Sequence, residues 1–255
     1  MRHVITIAAA AVLVSSAPVS AGDGVLITHT TTSGRETMTH RALIEATRIR
    51  TEMTSNDGDR QTMVYDHAAG ILRVMDDAAK TYSEITSSET DRVGGHMADA
   101  FRDLQRQAQK ATPEERAQIE AMIKSLMGPE LDYAKGGSDT VGAWACDTYV
   151  ISLKGQKIAD TCVAEPAAFG LARKDLEIIK PFEEFLSQVM KGGSQLLFNV
   201  GLTPPPGSSG IVVRIVAGPA KTELTTATRQ KFADALFAVP VGYRKVPYPG
   251  LRPEK

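Results

Sequence analysis

Short runs of alternating apolar and polar residues, separated by turn signals, fill the first third of the chain. Alternation with a period of two is typical of a β-strand with one buried face, and NDGD at 56–59 is a strong turn signal. The runs are short and closely spaced, which favours an antiparallel meander. We therefore predict five strands here, at 24–30, 43–53, 61–66, 71–76 and 80–85.

The period changes at about 88–128, where apolar residues recur at steps of three or four and so share one side of a helix. A second helix begins after Thr112, because Pro113 suits the first helical position and Glu115 completes a capping box. We predict two amphipathic helices that form an insert and cover the sheet. The apolar positions are Val93, Met97, Phe101, Leu104 and Ala108 in the first helix and Ile119, Met122, Ile123, Leu126 and Met127 in the second.

The second half of the chain returns to strands. Strand patterns occupy about 133–163, a further amphipathic helix follows, and GIVVRIVA at 210–217 begins a hairpin. No linker or internal repeat divides the chain, so we predict a single α+β domain over 22–246. The Pro-rich segment 247–255 is expected to be a disordered tail.

The N-terminus has the features of a secretory signal. A short basic start precedes an apolar run from Val4 to Val14, and small residues suited to cleavage end at Ala21. The run is shorter than the roughly 20 residues that span a bilayer, which argues against a retained anchor. We predict cleavage after Ala21 and a periplasmic or secreted protein whose mature part has no transmembrane segment.

Charge narrows the range of partners. Loss of residues 1–21 removes one of the 29 Lys and Arg residues and none of the 30 Asp and Glu residues, so the net charge moves from −1 to −2. A chain so close to neutrality has no electrostatic basis for binding nucleic acid or an anionic membrane surface. We therefore expect no nucleic-acid partner.

Cys146 and Cys162 are the two cysteines of the chain. A zinc site needs about four nitrogen or sulfur ligands, and a redox pair favours C-x-x-C spacing, whereas two cysteines in an exported protein favour a disulfide. If Leu153-Lys154-Gly155 is a three-residue loop, counting outward along its strands places the two cysteines directly opposite each other. We predict a structural disulfide that closes a β-hairpin.

The histidines suggest no defined site. His29 and His40 could face each other across the polar turn between them, as a pair of metal ligands would. No third ligand is evident, so solvated strand histidines are the preferred interpretation. His67 lies in a turn and His96 near the start of the first helix, each without an obvious partner.

Two further polar pairs are candidates for a site. Asp76 and Asp77 are adjacent, so on a strand they would point to opposite faces, and the segment DDAAK is typical of a turn. Arg48 and Arg50 share one face of a strand and could bind an anionic headgroup, although solvated charges are the preferred interpretation. With no nucleophile elbow and no phosphate-binding glycine motif, we expect no catalytic residues, no metal and no cofactor.

The methionine-bearing faces of the two predicted helices allow two interpretations. They can pack as a filled core, or their flexible side chains can line a groove that adapts to apolar ligands. The pattern alone is compatible with both. The candidate apolar ligand-binding residues are Met97, Phe101, Met122, Ile123 and Met127.

Four stretches of the chain resemble an uncharacterised family of exported bacterial proteins, a domain of unknown function. They are TRIRTEM, the block from VYD to MDDAAKTYSEIT, GAWACDTYVISLKGQKIADTC and LFAVPVGYRKV. The order of the segments is also similar to the LolA-like architecture of periplasmic lipoprotein carriers. The resemblance implies a curved antiparallel β-sheet, a half-barrel, covered by amphipathic helices with space for an apolar ligand between them.

These features together predict a non-enzymatic periplasmic protein. Its expected ligand is apolar, for example the acyl chains of a lipid, held between the sheet and the helices. The alternative is an envelope protein–protein interaction or stress-related module with a filled core and no ligand.

Overall fold

The computed structural model describes residues 21–126, 131–189, 204–208 and 210–248. Within these ranges the side chains at 21, 91–98, 100, 101 and 121–126 are not described. Twelve strands are present: β1 Ala21–Ser33, β2 Glu36–Ile44, β3 Arg48–Ser55, β4 Arg60–Asp66, β5 Ile71–Asp76, β6 Thr81–Thr86, β7 Leu131–Val141, β8 Trp144–Leu153, β9 Gln156–Ala164, β10 Ile211–Ala217, β11 Ala220–Ala233 and β12 Arg244–Lys245. The α-helices of the described ranges are α1 Ser87–Lys110, α2 Pro113–Leu126 and α3 Ile179–Val189.

All twelve strands belong to one open sheet in the order β12-β6-β5-β4-β3-β2-β1-β11-β10-β9-β8-β7. The sheet consists of two antiparallel meanders, β1–β6 and β7–β11. The long strands β1 and β11 join the meanders by pairing from Ala21 opposite Ala233 to Ser33 opposite Ala220. The sheet is mixed, because β12 adds to β6 in parallel.

The predicted half-barrel covered by amphipathic helices is therefore wrong. Because β1 and β11 pair along the whole length of β1, the second meander continues the sheet beside the first. In the described residues the sheet does not close into a barrel. The segment predicted as one strand over 43–53 is a hairpin. Its turn is closed by a hydrogen bond from Glu45 N to Arg48 O (2.9 Å).

The helices also differ from the predicted cover. α1 begins with a capping box in which Thr86 Oγ1 accepts from Glu89 N (3.2 Å) and the Glu89 carboxylate accepts from Thr86 N (2.8 Å). α2 packs mainly on α1, whereas α3 inserts Phe182 and Phe185 into the main core. Much of the remaining cover is irregular chain. None of the described helices is long and apolar enough to span a membrane.

Side chains that alternate along each strand build a core on both faces of the sheet. We call the first the α3 face, because Tyr65 on it packs against Phe182 and Phe185 with ring centroids 5.4 and 5.3 Å apart. The second is the strap face, which is covered by residues 234–248, the C-terminal strap. The α3 face includes Val25, Ile27, Ile44, Leu72 and Ile85, and the strap face includes Leu43, Val64, Met75, Phe232 and Phe237.

Candidate functional site

A groove of about 630 Å³ lies on the α3 face, at the end of the first meander that is farther from α3. Met38, Met53 and Val74 line it, and all three continue the alternation that puts Ile44, Ile49 and Leu72 into the core of the same face. The described lining residues come from β2–β6, the turns between these strands and the C-terminal strap. A volume in this range is typical of a small-molecule site.

The chemistry of the groove changes from its floor to its rim. Methionine and valine side chains form the apolar part of the floor, beside Gln61 and Ser83. Asp59, Arg60 and Asp76 lie where the hairpin turns meet the groove. Arg60 forms an ion pair with Asp77 in the neighbouring turn. The groove therefore offers an apolar surface with charged groups at one end, which suits an amphiphilic molecule better than a wholly polar one.

The wall of the groove is the last part of the C-terminal strap. The strap crosses the strap face and turns around the β6 edge, where Arg244 N donates to Lys80 O (3.0 Å) and Val246 N donates to Tyr82 O (2.8 Å). Lys245 forms an ion pair with Glu84, which lowers the pKa of that carboxyl group. Tyr248 then packs against the core of the α3 face. The described strap thus extends into the segment that was predicted to be a tail from 247.

The predicted ligand-binding residues on the helices cannot be compared with this groove. The side chains of Met97, Phe101, Met122 and Ile123 lie outside the described residues, and so does the whole of Met127. The groove itself was missed because Met38 was assigned to no strand. The alternation of a strand is present over 38–44, where Met38, Ala42 and Ile44 share one face with His40. The residues between them are polar except Leu43.

His29 and His40 are directly opposite each other on β1 and β2. The interpretation as a solvated residue is wrong for His29, which is only 1% exposed and follows Val25 and Ile27 on the buried side of β1, whereas His40 is half-buried. Its Nε2 donates to Val212 O (2.7 Å), while Nδ1 has no hydrogen-bond partner among the described residues. Burial lowers the pKa of His29 to about 4, and burial also lowers the pKa of His40.

The side chains of Arg48 and Arg50 form ion pairs and hydrogen bonds within the protein and are not free in solvent. Arg48 forms ion pairs with Glu45 and Asp234 and lies 4.5 Å from the centre of the Phe237 ring. Arg50, 7% exposed, donates to Glu52 (2.7 Å) and to the carbonyl oxygen of Leu236 (2.7 Å). Both guanidinium groups hold the C-terminal strap against β3, so neither is available to an anionic headgroup.

The other polar candidates also have structural roles. Asp76 accepts a hydrogen bond from Ala79 N (2.8 Å) in the turn, and Asp77 accepts one from the hydroxyl of Tyr243 (2.5 Å). The ring of His67 is 2.9 Å from the Tyr65 hydroxyl. In the part of the chain that the structure describes, no three His, Cys, Asp or Glu side chains are grouped as they would be around a metal ion.

Cys146 and Cys162 form a disulfide with a Cα–Cα distance of 5.5 Å. The predicted hairpin register is wrong by one residue at the turn and by two residues at the cysteines. Lys154 and Gly155 both have positive φ angles (50° and 75°), so they form a two-residue turn, and the chain bulges between Lys157 and Ala159. Cys162 consequently lies opposite Thr148, and the disulfide runs diagonally across the hairpin.

Comparisons with known proteins give distant likenesses. No protein-family model matches the chain, and no curated protein matches it. A solved structure of an uncharacterized conserved protein from Thermus thermophilus is 9% identical, with a TM-score of 0.46 over 89% of this chain and 91% of that one.

Two solved structures that contain MucB are also similar. The first, of MucB, is 10% identical, with a TM-score of 0.33 over 81% of this chain and 53% of that one. The second is the MucA/MucB complex of Pseudomonas aeruginosa, which is 11% identical, with a TM-score of 0.34 over 85% of this chain and 56% of that one. This chain therefore spans about half the length of MucB. Likenesses at this level carry no argument about function, and the resemblance to an exported family stays a prediction.

Proposed function

We propose that this protein is a non-enzymatic envelope protein that binds an amphiphile with a single apolar chain in the groove on the α3 face. The observation that carries the proposal is the combination of a volume of about 630 Å³ with a floor of methionine and valine on an otherwise well-packed sheet. The alternative interaction module, with a filled core and no ligand, assigns no role to this groove.

The side chains suit this ligand for a physical reason. Met38 and Met53 are unbranched and polarisable, so they can follow an apolar chain whose shape varies from one ligand to the next. Each methylene group that leaves water contributes about 0.8 kcal/mol, so a chain of modest length gains enough to bind without any hydrogen bond. Asp59, Arg60 and Asp76 would then lie beside the polar end of the ligand.

The proposed compartment is the periplasm or the extracellular space. The disulfide between Cys146 and Cys162 is stable in an oxidising environment, and the N-terminal sequence has the features of a secretory signal. A protein that carries single-chain amphiphiles is useful in such a compartment, because these molecules are poorly soluble in water.

Displacement of a fluorescent fatty acid from the purified protein tests the proposal. Val74→Glu places a carboxylate on the groove floor and should weaken binding by about tenfold or more, because the ligand would have to bury that charge. Val241→Glu, the same change at a fully exposed turn position, should bind like wild type. Val74→Phe fills the groove without adding charge and should also weaken binding.

Two results would contradict the proposal that the groove binds an amphiphile. A folded wild-type protein that neither binds the probe nor carries lipid after extraction from the cell envelope would exclude the proposal. So would a Val74→Glu variant that binds as wild type does. Thermal unfolding of each variant separates loss of the groove from loss of the fold.

A further inference from the structure

A row of side chains crosses the α3 face beside the groove. His29 on β1 is directly opposite His40 on β2, and His40 is directly opposite Met53 on β3. Opposed residues have Cα atoms about 4.5–5.5 Å apart, so the three side chains rise from the same side of the sheet within reach of a common point above β2. Met38 lies on the same face of β2, two residues from His40.

His29 is already oriented as a metal-binding histidine. A carbonyl oxygen only accepts, so the contact with Val212 O requires the proton on Nε2 and leaves a lone pair on Nδ1. Histidines that bind metals commonly donate their other ring N–H to a backbone carbonyl in this way, which fixes the tautomer and the ring orientation. With Nε2 engaged towards β10, Nδ1 is the ring nitrogen that remains for an interaction with a neighbour such as His40.

The buried Nδ1 has no other explanation in the fold. Its ring is 1% exposed and the atom is hidden from solvent, yet no described residue donates a hydrogen bond to it. A buried polar atom without a partner is unfavourable, and such atoms are uncommon in folded proteins. A bound cation that accepts the lone pair would remove this cost.

We propose that His29 Nδ1, the His40 imidazole and the thioether of Met53 bind a cuprous ion, with Met38 as a fourth ligand. Thioether sulfur is a soft ligand that selects Cu(I), whereas zinc sites in proteins use thiolate, imidazole and carboxylate groups. The half-buried Met53 and the 39%-exposed Met38 line the groove, which gives the ion a path to the buried histidine. The site does not depend on the proposed amphiphile, although both use the methionines.

The experiment is a competition for Cu(I) between the oxidised protein and the chromophoric chelator bicinchoninate. Ascorbate keeps the copper reduced, and thiols are left out because they would reduce the disulfide. Native mass spectrometry gives the number of copper ions bound. We expect one Cu(I) per wild-type chain, and an affinity at least about tenfold lower for each of the three variants below, which corresponds to 1.4 kcal/mol.

The variants are chosen so that each removes one ligand atom and little else. His29→Gln keeps an N–H that can donate to Val212 O but has no counterpart of Nδ1. His40→Phe keeps a ring of similar size, and Met53→Leu keeps the apolar volume but lacks sulfur. The matched controls are His67→Phe and Met75→Leu. His67 is exposed, and Met75 packs in the core of the strap face, although it also contacts the groove.

The outcomes separate the copper site from the amphiphile groove. Met53→Leu should lose Cu(I) and still bind the fluorescent fatty acid, whereas Val74→Glu should lose the fatty acid and still bind Cu(I). Absence of Cu(I) binding in the wild type overturns the proposal. Full retention of copper by His40→Phe or Met53→Leu, or loss in the His67→Phe control alone, does the same.

Discussion

Replacing Glu52 with Gln should destabilise the protein because of the charge that it leaves behind on the strap face. Glu52 and Arg50 are each 7% exposed, and Arg50 Nε donates to one carboxylate oxygen at 2.7 Å. Arg41 Nη1 donates to the other oxygen at 2.9 Å. Glutamine is neutral, so the variant leaves the charge of the buried Arg50 guanidinium uncompensated by Glu52, while the hydrogen bond to Leu236 O is kept.

The expected loss is about 3 kcal/mol in the free energy of unfolding. Removing one partner of a buried ion pair costs about 3–5 kcal/mol, and the low end applies here because Arg50 keeps the bond to Leu236 O and Arg41 is half-exposed. For a chain of this size about 1 kcal/mol corresponds to about 2–4 °C, so the unfolding midpoint should fall by about 6–12 °C. Circular dichroism measures the midpoint, and urea unfolding measures the free energy.

Two comparisons make the result decisive. Glu223→Gln breaks the exposed pair with Lys221 and should cost less than about 1 kcal/mol. The double variant Arg50→Met, Glu52→Leu removes both buried charges and should be more stable than Glu52→Gln. If Glu52→Gln unfolds at the same temperature as Glu223→Gln, or if the double variant is no more stable than Glu52→Gln, the stranded charge is not what destabilises the protein.

Two further predictions concern stability. The double variant Cys146→Ala, Cys162→Ala should lose about 3 kcal/mol in the free energy of unfolding, because the disulfide no longer closes a loop in the unfolded chain. Reduction of the wild-type disulfide should cause the same loss in urea unfolding. A variant as stable as wild type would contradict the prediction. Burial, followed by the neighbouring Glu184 charge, raises the pKa of Glu183 to about 7, so the stability that this group contributes is complete below about pH 4.5 and is lost as pH rises through about 7. Glu183→Gln should therefore lose less stability than wild type between pH 5 and pH 8, by about 1 kcal/mol since the side chain is partly in solvent. Thermal unfolding across this pH range measures the difference, and an equal pH dependence in the two proteins would contradict the prediction.

Local pattern predicted the elements better than it predicted their arrangement. Alternation predicted the strands at 61–66 and 71–76, and Thr-x-x-Glu spacing predicted the capping box of the second helix, because these causes lie within a few residues. The capping box of the first helix was not predicted, although Thr86 and Glu89 have the same spacing. The hairpin between β2 and β3 was missed because its turn holds Glu45 in place of Gly, Asn or Pro. That turn is stabilised by the ion pair of Glu45 with Arg48, which a search for turn residues does not detect.

The arrangement depends on contacts between residues far apart in the chain. β1 pairs with β11 across about two hundred residues, and no pattern within either strand reveals that partner. The groove and the histidine row both result from register between neighbouring strands. His29 opposite His40 could be predicted from the short turn between them, whereas the addition of Met53 required the missed β2–β3 hairpin.

Three of the four stretches that carry the family resemblance meet in space on the strap face. Arg50 of TRIRTEM donates to the carbonyl of Leu236 in LFAVPVGYRKV, while Asp77 of MDDAAKTYSEIT accepts a hydrogen bond from Tyr243. These residues hold the C-terminal strap in place, so the requirements of packing are enough to explain such motifs. A site that binds a ligand does not have to coincide with them. In this chain the candidate site lies on the opposite face and takes only part of its residues from these stretches, such as Met53 of TRIRTEM. Met38 and the two histidines lie outside all four stretches and join Met53 only through strand pairing.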